Sequence, residues 1–226
     1  MASALTGQQD YKCIAEKYSK NNAIQIKLGQ QFVSLLELGY GQKVLDMGCG
    51  TGELTAYTAN QVGFENVFGV DPDPNREVTE LKLLFKLRET SVLHNFVFHW
   101  LNTHEKEEYL NRAVKCLKPG GRLAIHSADD WPQPIAALLE MAVAVSAMKP
   151  APYFVGRTAV DSMCKELGFK ILTSETLFYE YKFASVESFL AWTCATFYID
   201  ESKFSSLVEK ERLMKFSDKD GSVIGK

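Results

Sequence analysis

The residues whose spacing could do chemistry are Asp46, Gly48, Gly50, Gly52 and Asp71. The first four alternate as Asp-x-Gly-x-Gly-x-Gly, after a stretch at 43–47 that reads as a short buried strand and before a helical pattern over about 53–61. Glycine admits left-handed backbone and has no Cβ to hold a ligand away. A helix opening at such a turn presents unpaired N–H groups, which suit an anionic or zwitterionic group. Asp71 closes the next apolar run, 66–70. It stands roughly 20 residues beyond the turn, where a carboxylate can accept hydrogen bonds from a ribose diol. Turn and acid together make a nucleoside-type site, whereas the turn alone would be no more than helix entry. The dinucleotide fingerprint needs glycine where Glu53 stands, and a P-loop needs Gly-Lys-Ser/Thr. Asp46 would also repel a pyrophosphate.

The elements that must position these residues alternate between helical and extended patterns, which indicates an α/β layered fold. Tyr11, Ile14, Ala15 and Tyr18 fall on one helix face, and Leu28, Phe32, Leu35 and Leu36 on another. Val78, Leu81, Leu84 and Phe85 mark a helix after Pro72 and Pro74, and 91–95 reads as a strand. Asn102-Thr-His-Glu105 is a capping box before a helix carrying Tyr109, Leu110, Ala113, Val114 and Leu117. Pro119-Gly-Gly121 turns the chain into a strand at 122–126. Residues 135–148 read as a further helix, and Thr158 is expected to cap the next, which would end at Gly168. A strand at 169–173, extended through 177–183, precedes closing helices at 185–197 and 202–216.

The gross composition excludes several classes. The 226 residues are 46% hydrophobic and 23% charged, with net charge −3 and both signs interspersed. No basic stripe argues for nucleic acid or an anionic membrane. Residues 1–10 lack the pattern of a signal peptide, and no apolar run reaches the ~20 residues needed to span a bilayer. Cys13, Cys49, Cys116, Cys164 and Cys194 form no CxxC pair, so neither zinc nor a disulfide framework is expected. A reduced, cytoplasmic protein is the expectation.

Four stretches carry a family resemblance. Val44-Leu-Asp-Met-Gly-Cys-Gly-Thr-Gly52 resembles motif I of class I S-adenosylmethionine-dependent methyltransferases, and Gly69-Val-Asp-Pro-Asp73 resembles their second motif. Asn95-Phe-Val-Phe-His-Trp100 is similar to the fourth-strand segment of their small-molecule enzymes. Leu117-Lys-Pro-Gly-Gly-Arg-Leu-Ala-Ile125 is similar to the run into strand five. Within the family, these stretches resemble the group that includes juvenile hormone acid, trans-aconitate and malonyl-carrier-protein O-methyltransferases. The resemblance implies a Rossmann-like doubly wound sheet and methyl transfer from S-adenosyl-L-methionine to a small-molecule acceptor, a carboxylate among the candidates. It implies that Asp46, Gly48 and Gly50 hold the methionine moiety, that Asp71 binds the ribose and that Pro72 packs beside the adenine. Asn95 and Phe96 would lie below the sulfonium, and Tyr18 would close over the cofactor. His99, Trp100, Trp131, Tyr153 and Phe154 are candidates for the acceptor pocket, and Tyr179, Tyr181, Trp192 and Phe197 are read as core. No catalytic base is identified: His99 is a candidate only, and an ionised carboxylate needs none. Cys49 reads as a small space-filling side chain.

The chain is expected to form one methyltransferase-like domain over 1–226, with an N-terminal helical cap at 1–40 and lid helices at 128–160 and 184–216. Between Asp71 and Ser91 there is room for a single crossover helix, so strand three of the family sheet is lacking. Residues 221–226 read as the entry to a final hairpin, so an intact strand seven is lacking too. A catalytically impaired, partner-binding relative is the alternative function, and a nicotinamide-dependent oxidoreductase is disfavoured by Glu53.

Overall fold

A computed structural model describes residues 18–71, 89–131, 133–144, 153–197, 199 and 223–225. Two compact units are present: Gln25–Asp129 with Pro152–Glu175, and Met1–Ile24 with Asp130–Ala151 and Thr176–Lys226. The expected helices at 11–18, 75–88 and 202–216 fall wholly or mainly outside the described residues.

The first unit holds the sheet. Its elements run α1 (Ala23–Leu35, which starts in the other unit), β1 (Val44–Met47), α2 (Glu53–Val62), β2 (Val67–Val70), β3 (Glu89–Asn95), α3 (Thr103–Cys116), β4 (Leu117–His126) and α5 (Arg157–Glu166). α4 (Gln133–Ala144) belongs to the second unit. The four strands are parallel in the order β2-β1-β3-β4. Val44 pairs with Val67 on one side and Ser91 on the other, which places β1 in the interior of the sheet. Every residue of β1 is buried, as expected for a parallel strand covered on both faces.

The alternation of side chains explains both cores. Leu45, Met47 and Val92 point to the face covered by α3, where Ala113 and Cys116 meet them. Val44 and Leu93 point to the opposite face, against Phe32, Val33, Leu54 and Val62 of α1 and α2. By the same parity Asp46 and Asn95 lie on the α1–α2 side, and His94 lies on the α3 side. Gly29 of α1 permits a close approach there: a Cβ on it would stand 2.8 Å from the Asn95 Nδ2.

The Asn102–Glu105 capping box forms as expected. Asn102 Oδ1 accepts from the Glu105 N–H at 3.0 Å, and Glu105 Oε2 accepts from the Asn102 N–H at 2.8 Å. Other expectations fail. Thr158 is not a cap, because the helix starts one residue before it and Gly156 takes the N-cap position. Gly168 does end that helix, with φ of 85° and its N–H donating to the Lys165 carbonyl. Residues 169–173 form no strand: the Phe169 N–H is taken by the Cys164 carbonyl at 3.1 Å, while Phe169 and Ile171 pack against Phe98, Leu110 and Cys164. The turn at Pro119 is also absorbed into β4, whose register against β3 shifts between Glu89 and Ser91.

In the second unit, α6 (Val186–Thr196) follows β5 (Tyr181–Phe183). Ser185 caps that helix reciprocally with Ser188. β6 (Val223–Gly225) pairs antiparallel with β5 in a separate two-stranded sheet. The C-terminal segment thus completes a ladder where the sequence pattern gave only the entry to a hairpin.

Candidate functional site

The glycine turn joins β1 to α2 at the carboxyl end of the sheet. Gly48, Gly50 and Gly52 have φ of 85°, 58° and 88°. Gly48 is the most constrained, since any Cβ on it would collide with the Val97 side chain. The turn is stitched to β2: the Gly48 and Cys49 N–H groups donate to the Val70 carbonyl at 2.6 and 3.1 Å. The Gly50 N–H donates to Asp71 Oδ2 at 2.9 Å. Asp71 is thereby brought against the turn, as the sequence spacing required, and it orders the turn as well as presenting a carboxylate.

Asp46 is 1% exposed, and its Oδ2 accepts from the Thr55 hydroxyl at 2.7 Å. Burial pushes its carboxyl up from 3.8 to about 6; the Thr55 hydrogen bond opposes the rise and the Asp71 charge adds to it. Two buried acids therefore flank one glycine turn, a setting that favours a ligand bringing positive charge. Sequence reasoning missed Thr55. Its signal was a polar residue in the first turn of the helix that follows the glycines.

The second group of candidates follows β3. Asn95 Oδ1 accepts from His126 Nδ1 at 2.8 Å. Asn95 can only accept through that oxygen, so the His126 proton sits on Nδ1. Phe96 has φ of 56°, a conformation costly for a bulky residue. It is held by its N–H donating to the His126 carbonyl and by ring contacts to His126 at 4.5 Å and His99 at 6.2 Å. The short turn Phe98–Trp100 buries His99 and leaves Trp100 partly exposed beside it, ring centroids 5.2 Å apart. The Ala128 N–H donates to His99 Nδ1 at 3.3 Å, so this imidazole carries its proton on Nε2. Burial lowers His99 to about 3, with Lys106 and His126 contributing, and lowers His126 to about 4. Both are neutral near pH 7, and His99 is a hydrogen-bond donor rather than a cation. Tyr153 joins the group because its N–H donates to the His99 carbonyl at 2.7 Å, and Phe154 stacks on the His99 ring at 6.2 Å.

His94 was read as packing at a strand end, and the structure adds a hydrogen-bonded role. The Tyr109 hydroxyl donates to the Met47 carbonyl at 2.8 Å, and so accepts from His94 Nδ1. This link ties the last residue of β1 to α3. Burial lowers the proton affinity of His94 well below the usual imidazole range. Tyr18 and Trp131 lie in the second unit, where Trp131 packs edge-on against Phe197 at 4.9 Å. Pro72 lies outside the described residues. Among the described residues no group of three or more His, Cys, Asp or Glu could hold a metal ion, and no helix is long and apolar enough to cross a membrane.

A family model described as a methyltransferase domain matches residues 23–174. A trans-aconitate 2-methyltransferase of Rhodopseudomonas palustris is 29% identical over 139 residues, covering 55% of this chain and 54% of that protein. A malonyl-acyl-carrier-protein O-methyltransferase of Calditerrivibrio nitroreducens is 25% identical over 133 residues, covering 53% of each. The chain thus spans about half the length of these curated relatives. Among solved structures, a cyclopropane synthase from Mycobacterium tuberculosis matches with a TM-score of 0.50 and 19% identity, over 85% of this chain and 75% of that one. That likeness concerns the fold.

Proposed function

The chain belongs to the methyltransferase domain family, and on that premise we propose that it transfers a methyl group from S-adenosyl-L-methionine to a small-molecule acceptor, a carboxylate in our reading. The observation that carries the proposal is the pair of buried acids, Asp46 and Asp71, on either side of one glycine turn. A carboxylate whose proton affinity is raised by burial gains from a neighbouring cation, and the α-ammonium of the cofactor is one. Asp46, Gly48 and Gly50 would hold the amino-acid end, Asp71 the ribose, and Asn95 and Phe96 the sulfonium region. When bound, the cofactor supplies an electrophilic methyl group.

What remains for the protein is orientation and exclusion of water. His99, 3% exposed and neutral, can offer its Nε2–H to an acceptor oxygen without withdrawing a full charge from it. It is too weak a base to deprotonate an alcohol. An acceptor already ionised at pH 7 fits this arrangement, and alignment of the reactants then supplies the rate. Trp100 and Tyr153 would form the wall around His99.

Titration calorimetry with S-adenosylhomocysteine tests the cofactor half of the proposal. Micromolar binding is expected, and Asp71→Ala is expected to abolish it. Transfer of labelled methyl to a panel of di- and tricarboxylates tests the acceptor half. Absence of binding by the unvaried chain refutes the enzymatic reading and favours a catalytically impaired methyltransferase-like protein.

A further inference from the structure

Lys106 has an arrangement that neither fold nor cofactor requires. It sits in the first half of α3, among exposed Glu105, Glu107 and Glu108, yet it is 0% exposed. Its Nζ donates to the Leu101 carbonyl and, at 2.7 Å, to the Tyr153 carbonyl, and it lies 5.4 Å from the centre of the Phe98 ring. A buried ammonium is usually matched by a carboxylate. Here two backbone carbonyls and an aromatic face do that work, and one carbonyl comes from 47 residues away.

The distant carbonyl is informative. Tyr153 is grasped at both ends of its backbone, by Lys106 through its C=O and by the His99 carbonyl through its N–H. The adjacent Phe154 ring lies over His99 with an interplanar angle of 30°. Tyr153 itself is 48% exposed, so side-chain packing contributes little to holding it. The tie at Lys106 is what an irregular segment needs to keep a fixed place against the 98–101 turn.

We propose that Lys106 is a positioning residue that ties segment 153–154 to the His99 turn and thereby sets the wall of the acceptor site. The assignment of that wall to an acceptor rests on the function proposed above; the tie itself does not. The lysine acts through Tyr153 and touches no reacting atom. Burial also lowers the proton affinity of its ammonium, partly opposed by Glu105, in keeping with a group held for its donors rather than for an ion pair.

Hydrogen–deuterium exchange of the full chain tests this with Lys106→Met, which keeps length and apolar packing, and Lys106→Arg, which keeps donors. The methionine variant is expected to speed exchange of the Tyr153 amide by about tenfold, the factor for one lost hydrogen bond, and the arginine variant to restore protection. Val92 and Leu93, in the centre of the sheet, are expected to keep their protection in both. Unchanged exchange at Tyr153 overturns the proposal. So does loss of protection spread over β3, since Lys106 would then be a general structural residue, and so does failure of arginine to restore Tyr153. Calorimetry with S-adenosylhomocysteine on the unvaried chain judges the parent reading separately: without binding, the wall loses its assignment while exchange still decides whether the tie exists.

Discussion

Replacing Asp46 with asparagine should stabilise the cofactor-free chain at alkaline pH. The Asp46 carboxyl is pushed from 3.8 to about 6 in the folded protein. A group whose folded affinity for a proton exceeds its unfolded one contributes stability that is fully present below about pH 4, and that stability is lost as pH rises through about 6. A shift of about two units corresponds to roughly 3 kcal/mol lost between those limits. For a chain of this size that is roughly 6–12 °C in melting temperature. Asparagine keeps an oxygen to accept from Thr55 and carries no charge to desolvate. The assay is thermal unfolding of both proteins between pH 4.5 and 8. His94, His99 and His126, whose proton affinities are lowered, give stability with the opposite slope, but they are present in both proteins and cancel in the difference. The variant should exceed the parent at pH 8, and the gap should close towards pH 4.5. A gap independent of pH, or a less stable variant at pH 8, would refute the reasoning. The same change should weaken S-adenosylhomocysteine binding if the proposed cofactor site is correct.

Three further outcomes follow from the geometry. Gly48→Ala combines a left-handed backbone with a collision at Val97, and should cost about 3 kcal/mol in urea unfolding; Val97→Ala should recover part of it. Tyr109→Phe leaves the Met47 carbonyl and the His94 Nδ1–H buried without their partner, which should cost about 2–4 kcal/mol by the same measurement. Asn102→Ala removes one half of the capping box before α3, and should lower stability by about 1 kcal/mol, read as a fall of a few degrees in melting temperature.

The features that were legible in the sequence are those whose signal is local. The alternating glycines announce the turn because the required backbone is closed to most other residues. Asn102 and Glu105 announce a helix start because both halves of the motif lie within one turn. Asp71 is the instructive intermediate case: its position at a strand end was readable, but its hydrogen bond to Gly50 needs two parallel strands in register. Residues 169–173 misled because Phe169 and Ile171 do alternate as in a strand. That pattern reports a half-buried surface, which a segment packed on Phe98, Leu110 and Cys164 satisfies without a ladder. Lys106 was invisible for a related reason. In an acid-rich helix a lysine reads as solvated, and its burial is decided by a carbonyl far along the chain. His99 was identified by resemblance alone, and its tautomer follows only from the Ala128 N–H, which no residue pattern encodes.

The placement of β1 also governs how the polypeptide comes to be folded. Val44 needs Val67 on one side and Ser91 on the other, and only the first of these emerges soon after it during synthesis. At roughly 5–20 residues per second, β1 spends several seconds with the backbone N–H and C=O groups of one edge unpaired. Non-local parallel pairing of this kind is slow and exposed to aggregation. Conditions that lengthen the interval, such as translational pausing between the codons for Val70 and Ser91, should lower the soluble yield without altering the finished protein.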